Sequence, residues 1–345
     1  MDGPDLSICI PTFNRSASVS SLVVRILAGA PGPIEVVVLD NGSRDDTLAR
    51  LRKIDDSRLR IHFNTTNRGV LHNILHVLER ASGRHAVLLL DKDEMDPEAV
   101  DAFRRFLVKH PLVLCGYCEY DSARIEQAII YRQGAEALAH VAYTGHHPTG
   151  YFFDMAHLRA IDFIRRFSDF DFVGHFPYDF MFAELGLVGD AAVYHSPLFR
   201  PESIQEAAAH KSIGTNAARE DAFFSPIGRL KTAVSFARHI ATLPIPVAQQ
   251  ELLVSERFLT GLLAATLGFR HVMASPQLCI HHHIRSRAVG TMELVRLALT
   301  FYRRFLIEAI RGDGQGKSTR LARFHAHVLA LIGRRLRKRW ERPTS

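Results

Sequence analysis

The sequence is poor in several things that would have defined other kinds of protein. It has only four cysteines in 345 residues, too few for a disulfide framework and suited to a reducing compartment. It has no run of 18 or more apolar residues, so the sequence alone predicts no helix that crosses a bilayer. The start, MDGPDLSICI, is acidic and its apolar run is too brief for a secretory leader. The expected location is therefore the cytoplasm. No internal repeat is present, and no Gly-rich basic loop follows the first apolar run, where PTFNRSAS stands instead.

What remains is an ordinary globular composition, 47% hydrophobic and 23% charged, enough to bury a sizeable core. The formal charge of +7 is uneven: from Ser286 to Ser345 there are 14 Lys/Arg against 4 Asp/Glu. The body is thus slightly acidic, which excludes a nucleic-acid-binding role for it. Three further motifs fail on inspection. Cys115-Gly116-Tyr117-Cys118 lies in a strand pattern beside Glu119 and Asp121, which raise a thiol pKa, whereas a redox pair needs a helix start. Gly312 to Thr319 mimics a phosphate loop, but Arg311 stands where its first Gly belongs and no strand precedes it. His281-His282-His283 cannot converge on one ion from successive positions.

The first hundred residues alternate regularly. Apolar strands are expected at Leu6–Ile10, Ile34–Leu39, Leu59–Phe63, Ala86–Leu90 and Leu112–Cys115. Helices are expected at Ser16–Leu27, Asp45–Ile54, Val70–Ala81 and from Pro97 to about Lys109. Strands apolar on both faces, alternating with helices, imply an α/β fold with a mostly parallel sheet flanked by helices. Further on, Ile125–Tyr131 reads as an antiparallel strand, Gly134–His140 as a helix, Gly145–Thr149 as a loop, Pro177–Leu187 as a helix and Ala191–Tyr194 as a strand. After Pro197 the pattern becomes mainly helical, giving expected domains of 1–225 and 226–345.

Ligands of such sheets bind at the carboxyl ends of the strands. Three polar clusters fall there: Thr12-Phe13-Asn14, Asp40-Asn41 and Asp91-Lys92-Asp93. The apolar run Val87–Leu90 ends abruptly in those last charges. Asp91 and Asp93 can both face a hard cation if the backbone leaves the strand between them. Taken alone a D-x-D is more often a surface turn; its place beside two other strand-end clusters favours the site.

In order along the chain, LSICIPTFNR (Leu6–Arg15), EVVVLDNGS (Glu35–Ser43) with Asp45-Asp46-Thr47, Asn67-Arg68-Gly69, and the D-x-D at Asp91–Asp93 resemble the inverting family 2 glycosyltransferases, whose fold is the Rossmann-like GT-A fold. The resemblance spans roughly residues 5–200 at the scale of whole elements. It implies a nucleotide pocket at Pro11, Thr12, Phe13, Asn14 and Arg15, extended by Asp40, Asn41, Asn67, Gly69, Asp91 and Lys92. It also implies a divalent metal, Mn²⁺ or Mg²⁺, held by Asp93 with Asp91. His146, His147 and Thr149 fall in the loop that meets donor or acceptor, with the two histidines equally readable as plain loop residues. The catalytic base falls to Asp179, with Tyr178 where the family often has Glu, and with Glu184 and Asp171 as rivals. The implied activity moves a sugar from a nucleotide-sugar donor to a glycan or lipid-linked acceptor, as in bacterial surface-polysaccharide assembly. The alternative is a non-catalytic module of this type that binds nucleotide or membrane.

The C-terminal stretches Met292–Ile310 and Leu321–Trp340 have apolar residues at helical spacing with Arg-rich flanks. They are readable as basic amphipathic helices on the inner face of a membrane, or as a pair packed into the fold. Packing is favoured for the first, and the second is evenly balanced.

Overall fold

A computed structural model of the chain describes residues 3–120, 128–145, 147–195, 198–203, 222–282, 284–310 and 317–340. Residues 125–127 of the expected strand, His146, His283 and residues 312–316 lie outside these. The chain divides into two compact units, Met1–Glu202 and Ser203–Ser345.

The first unit is built on an eight-stranded sheet. Its strands are β1 (Leu6–Thr12), β2 (Ile34–Asp40), β3 (Leu59–Phe63), β4 (His85–Leu88), β6 (Val113–Glu119), β7 (Ala128–Tyr131), β8 (Tyr151–Asp154) and β9 (Asp190–His195). Two short strands, β5 (Glu94–Met95) and β10 (Phe199–Arg200), pair apart from the sheet. The spatial order is β3-β2-β1-β4-β8-β6-β9-β7. Four neighbours, β3 to β4, run parallel, and β6 and β9 are parallel to each other. β8 and β7 run antiparallel to their neighbours. The expected mostly parallel sheet is therefore present, with one strand, β8, that periodicity did not single out.

Every residue of β1 and β2 is buried, which is why both read as unbroken apolar runs rather than alternations. On one face Ile8, Ile10, Val36, Val38 and Val87 meet Val19, Val23 and Ile26 of the helix Ser16–Gly29, and Phe103 and Leu107 of the helix Val100–Lys109. On the other, the helix Val70–Glu79 packs on β1 and β2 through Ile74, Leu75 and Leu78. Asp96 starts the stretch after β5: its carboxylate accepts the Glu98 N–H, and Pro97 occupies the first helical position. The helix expected from Asp45 shortens to Thr47–Leu51, because Asp45 folds back to accept the N–H groups of Ser16 and Thr47.

The second unit is helical: Pro226–Ile240, Val247–Leu263, Phe269–Ala274, Pro276–His281, Thr291–Phe305 and Lys317–Trp340, with π-helical turns at Ala264–Gly268 and Leu306–Ile310. The residues Val247–Ala274 join into one helix of 28 residues that is long and apolar enough, by length and composition, to cross a membrane. The sequence reading expected none, because Glu251, Glu256 and Arg257 interrupt the apolar run near its start. Phe258 of this helix sits 5.1 to 5.9 Å from the rings of Phe301, Phe305 and Phe324, the aromatic centre of the helical unit. Helix Thr291–Phe305 buries Phe301 and Phe305 but leaves Met292, Val295 and Leu299 exposed on one stripe.

Candidate active site

At the carboxyl ends of β1, β2 and β4 three loops are tied to one another. Asn14 adopts a left-handed backbone, φ 51°, a conformation that asparagine tolerates better than most residues. Its N–H donates to Ser43 Oγ at 2.7 Å, and its own Oδ1 accepts the Arg44 N–H at 2.8 Å. The loop after β1 is thereby latched to the loop after β2. Phe13, on the first of these loops, is 37% exposed.

Asp40 and Asn41 play different parts. Asp40 accepts the Ser43 N–H and hydroxyl, and burial nonetheless lifts its carboxyl above the ordinary range, with nearby Asp45 adding to the rise. Asn41 is a structural hub. Its Nδ2 donates to Asn67 Oδ1 (2.9 Å) and to the Gly69 carbonyl (3.2 Å), while its Oδ1 accepts from Asn64 Nδ2 and the Arg68 N–H, each at 3.0 Å. Gly69, at φ 90°, supplies the backbone turn this loop requires. The Asn67 and Gly69 of the sequence motif therefore serve through Asn41, setting the shape of the rim. Asn73, which the sequence reading passed over, fastens the same corner by donating to the Leu39 and Thr12 carbonyls.

Asp91 and Asp93 differ in electrostatics although only Lys92, half-buried, separates them. Burial pushes the Asp91 carboxyl up to about 6, against the pull of Arg15 and a hydrogen bond from Thr12. The Thr12 hydroxyl donates to its Oδ2 at 2.7 Å, and Arg15 Nε lies 3.7 Å from its Oδ1. For Asp93, burial also acts to raise the carboxyl, but hydrogen bonds outweigh it and hold the group below the usual range. His147 Nε2 is 2.6 Å from Oδ2, the Thr149 hydroxyl donates to the same oxygen, and the Glu202 N–H donates to Oδ1 at 2.8 Å. The Thr149 Oγ also accepts the Leu90 N–H, so this loop is bolted to the end of β4. His147 and Thr149 thus join the D-x-D in space. Arg15 bridges toward Glu202, 3.9 Å away; sequence reading gave no sign of Glu202, whose approach depends on β10 pairing with β5.

A divalent cation suits this corner on charge grounds. The Asp91 carboxyl is raised by burial despite Arg15, Asp93 is held below the usual range, and both are hard oxygen donors. Among the described residues no three His, Cys, Asp or Glu side chains form a ready-made cage, so a cation here would need further oxygens from a substrate or water.

Asp179 lies in the first turn of the helix Pro177–Val188 and is fully buried. Its Oδ1 accepts the Thr144 N–H at 2.7 Å and its Oδ2 the Gly145 N–H at 3.2 Å. Tyr143 and Gly145 both have positive φ, 59° and 65°. The carboxylate therefore holds a tight turn that leads directly into the loop bearing His147 and Thr149. Tyr178, its neighbour, packs edge-on against Tyr151 at 4.9 Å and has its hydroxyl pKa raised by burial and by Asp179. Of the rivals, Glu184 is paired with Arg166, and Asp171 is exposed.

Residues 7–157 match the family model described as Glycosyl transferase family 2. Among curated proteins, the chain is 32% identical over 95 residues to the GalNAc(5)-diNAcBac-PP-undecaprenol beta-1,3-glucosyltransferase of Campylobacter jejuni. It is 24% identical over 132 residues to an uncharacterized glycosyltransferase of Haemophilus influenzae. Those segments are 27% and 36% of this chain, and the chain spans 31% and 53% of the length of these relatives. The crystal structure of S. aureus TarS 1–349 in complex with UDP-GlcNAc superimposes with a TM-score of 0.55 over 87% of this chain and 90% of that one, at 15% identity, a likeness of fold. The sheet order and the flanking helices, with this likeness, give the first unit a GT-A-like fold. The match to family 2 of the glycosyltransferases thus covers residues 7–157, less than half of the chain.

Proposed function

We propose that this protein transfers a sugar from a nucleotide-sugar donor to a glycan or lipid-linked acceptor, with inversion at the anomeric carbon. The observation that carries the reading is the meeting of Thr12, at the end of β1, with Asp91 past the end of β4, and of Asp93 with the His147–Thr149 loop that Asp179 anchors. In this reading Phe13 offers a face to the nucleobase, Asp40 and Thr12 hold the nucleoside, and Arg15 and Lys92 meet the diphosphate. The TarS structure holds UDP-GlcNAc and the C. jejuni relative is named for an undecaprenol diphosphate substrate; both motivate the substrate classes proposed.

Asp91 and Asp93 would hold a divalent cation, which when bound stabilises negative charge on the departing diphosphate. The chain's own residues do the rest. Asp93 stays ionised through its His147, Thr149 and Glu202 contacts. Asp179 accepts the proton of the attacking hydroxyl, a task for a carboxylate within hydrogen-bond reach of a poor nucleophile. In the described geometry its oxygens hold the Thr144 and Gly145 N–H groups, so an acceptor would share them. One base opposite the leaving group gives a single in-line displacement. The exposed stripe Met292, Val295 and Leu299, beside Arg296, Arg303 and Arg304, suits peripheral contact with an anionic membrane, consistent with a cytoplasmic protein on the inner face.

The test is a panel of nucleotide sugars with Mn²⁺, with or without EDTA, followed by NMR of the product anomer. Transfer with inverted configuration, lost on chelation, is expected. Turnover unaffected by EDTA contradicts the metal assignment, and a retained configuration contradicts the single displacement. Donor binding without turnover over many acceptors would favour a non-catalytic module.

A further inference from the structure

A second cavity lies beside the rim, between the edge strand β3 and the helix Val70–Glu79. It measures about 400 Å³ and is lined by His62, Asn64, Arg68, His72, His76 and Arg80, over apolar walls that include Leu39 and Phe63. None of Thr12, Asp40, Asp91, Asp93 or Asp179 lines it. It abuts the candidate donor site through Asn41, whose Oδ1 accepts from both Asn64 and the Arg68 N–H, and through the Asn64 N–H, which donates to the Asp40 carbonyl at 2.8 Å.

The lining is unusual in what it leaves unpaired. It has two guanidinium groups and three imidazoles and no carboxylate. Among the described residues neither Arg68 nor Arg80 has a carboxylate within 4.0 Å, in a chain where most other well-placed arginines do. The His72 Nδ1 is buried with no hydrogen-bond partner, and an unsatisfied buried nitrogen is costly unless a ligand serves it. The His72 and His76 rings, one helical turn apart, lie 3.9 Å from each other at a tilt of 33°, and His76 Nδ1 is 2.7 Å from Glu79. Burial, followed by Arg80 at His62 and by His76 and Arg68 at His72, lowers both imidazole pKa values. Glu35 at His62 and Glu79 at His72 oppose these shifts, and the fixed positive charge of the lining is that of Arg68 and Arg80. A cation is disfavoured by the same arginines, and no metal-ligand group is present among the described residues.

We propose that this cavity is a second anion site that binds a phosphate or diphosphate group distinct from that of the donor, on Arg68, Arg80 and the His62, His72 and His76 imidazoles. Guanidinium suits phosphate because its planar fork makes paired charge-assisted hydrogen bonds. The site lies next to the rim, so the proposed transfer reaction gives it a purpose: it would hold a phosphate of the acceptor while the donor occupies the strand ends. That last step rests on the function proposed above; anion binding itself does not.

The test uses the full chain in metal-free buffer with EDTA, where binding at the Asp91–Asp93 corner is minimised. Inorganic diphosphate and geranyl diphosphate are titrated calorimetrically into the wild type, Arg80→Gln and His72→Gln, each checked by thermal melting. Wild-type binding that weakens at least tenfold in Arg80→Gln and measurably in His72→Gln, with melting unchanged, is expected. Tighter binding of geranyl diphosphate assigns the group to a lipid-linked molecule; equal binding assigns it to a soluble phosphate. No binding by the wild type, or equal binding by all three proteins, overturns the site. A nucleotide-sugar titration with Mn²⁺ on Arg80→Gln keeps the two questions apart: unaltered donor binding is expected, so failure of the donor reading and failure of this one appear in different columns.

Discussion

The two ends of the same sheet handle buried carboxylates in opposite ways. At the amino ends, Glu35 is nearly inaccessible and fully engaged: Oε1 accepts the Ser7 hydroxyl and the Ser82 N–H, each at 2.6 Å, and Oε2 accepts the Ser82 hydroxyl at 2.8 Å. Ser7 Oγ in turn accepts the Gly83 N–H. Both carboxylate oxygens in that cluster have local donors, and their product is stability. At the carboxyl ends, Asp91 accepts from Thr12 and faces Arg15, yet burial still pushes its carboxyl up to about 6. A buried acid left short of compensation is a group kept for a ligand. Asp91 alone carries that contrast, because Asp93 and Asp179 are engaged by local donors much as Glu35 is.

The division between the two ends is tested most strongly at Asp179. Asp179→Asn is expected to lower turnover roughly 10²–10⁴-fold while donor affinity stays within a factor of a few, read by steady-state rates beside calorimetry. A variant with near-normal turnover would move the base elsewhere. Glu35→Ala should do the reverse, costing about 3 kcal/mol in chemical denaturation, because two serine hydroxyls and an amide lose their buried acceptor, with donor affinity intact. If Glu35→Ala weakens donor binding instead, the division between the two ends fails. Phe13→Ala should cost roughly 1–2 kcal/mol of donor affinity through lost stacking on the base, with no change in unfolding.

The smallest effect concerns pH. The His72 imidazole is held below its ordinary value by burial, then by His76 and Arg68, with Glu79 opposing. The unfolded chain therefore binds more protons than the folded one as pH falls through the ordinary imidazole range. Stability is intact above that range and declines below it. His72→Gln should flatten the decline between pH 7 and pH 5 in denaturation midpoints; curves parallel to the wild type would show that His72 carries none of it.

Much of the rim was legible in the sequence because its determinants are local. β1, β2 and β4 announce themselves as short apolar runs, and Thr12, Asp40, Asp91 and Asp93 stand at their ends or just past them. What escaped depends on distance along the chain. β8 is a four-residue aromatic strand, Tyr151–Asp154, inserted antiparallel between β4 and β6, and nothing in its neighbours predicts that insertion. Glu202 reaches Asp93 and Arg15 across more than a hundred and nearly two hundred residues of chain respectively. Glu35 was read simply as part of an apolar strand, because its partners Ser7 and Ser82 sit on other elements. The imidazole cavity did leave a trace: His72, His76 and Arg80 recur every four residues, a basic stripe on one face of a helix, which becomes a site only when His62 and Arg68 close over it.

The most direct test of the account is a thermal-shift screen of nucleotide sugars with Mn²⁺ on the wild type and on Asp93→Ala. At least one donor should raise the melting temperature of the wild type, since a ligand that binds only the folded state stabilises it by mass action, and the shift should vanish in Asp93→Ala. No shift with any donor, or the same shift in the variant, would contradict the assignment of the strand-end carboxylates as a metal-assisted donor site.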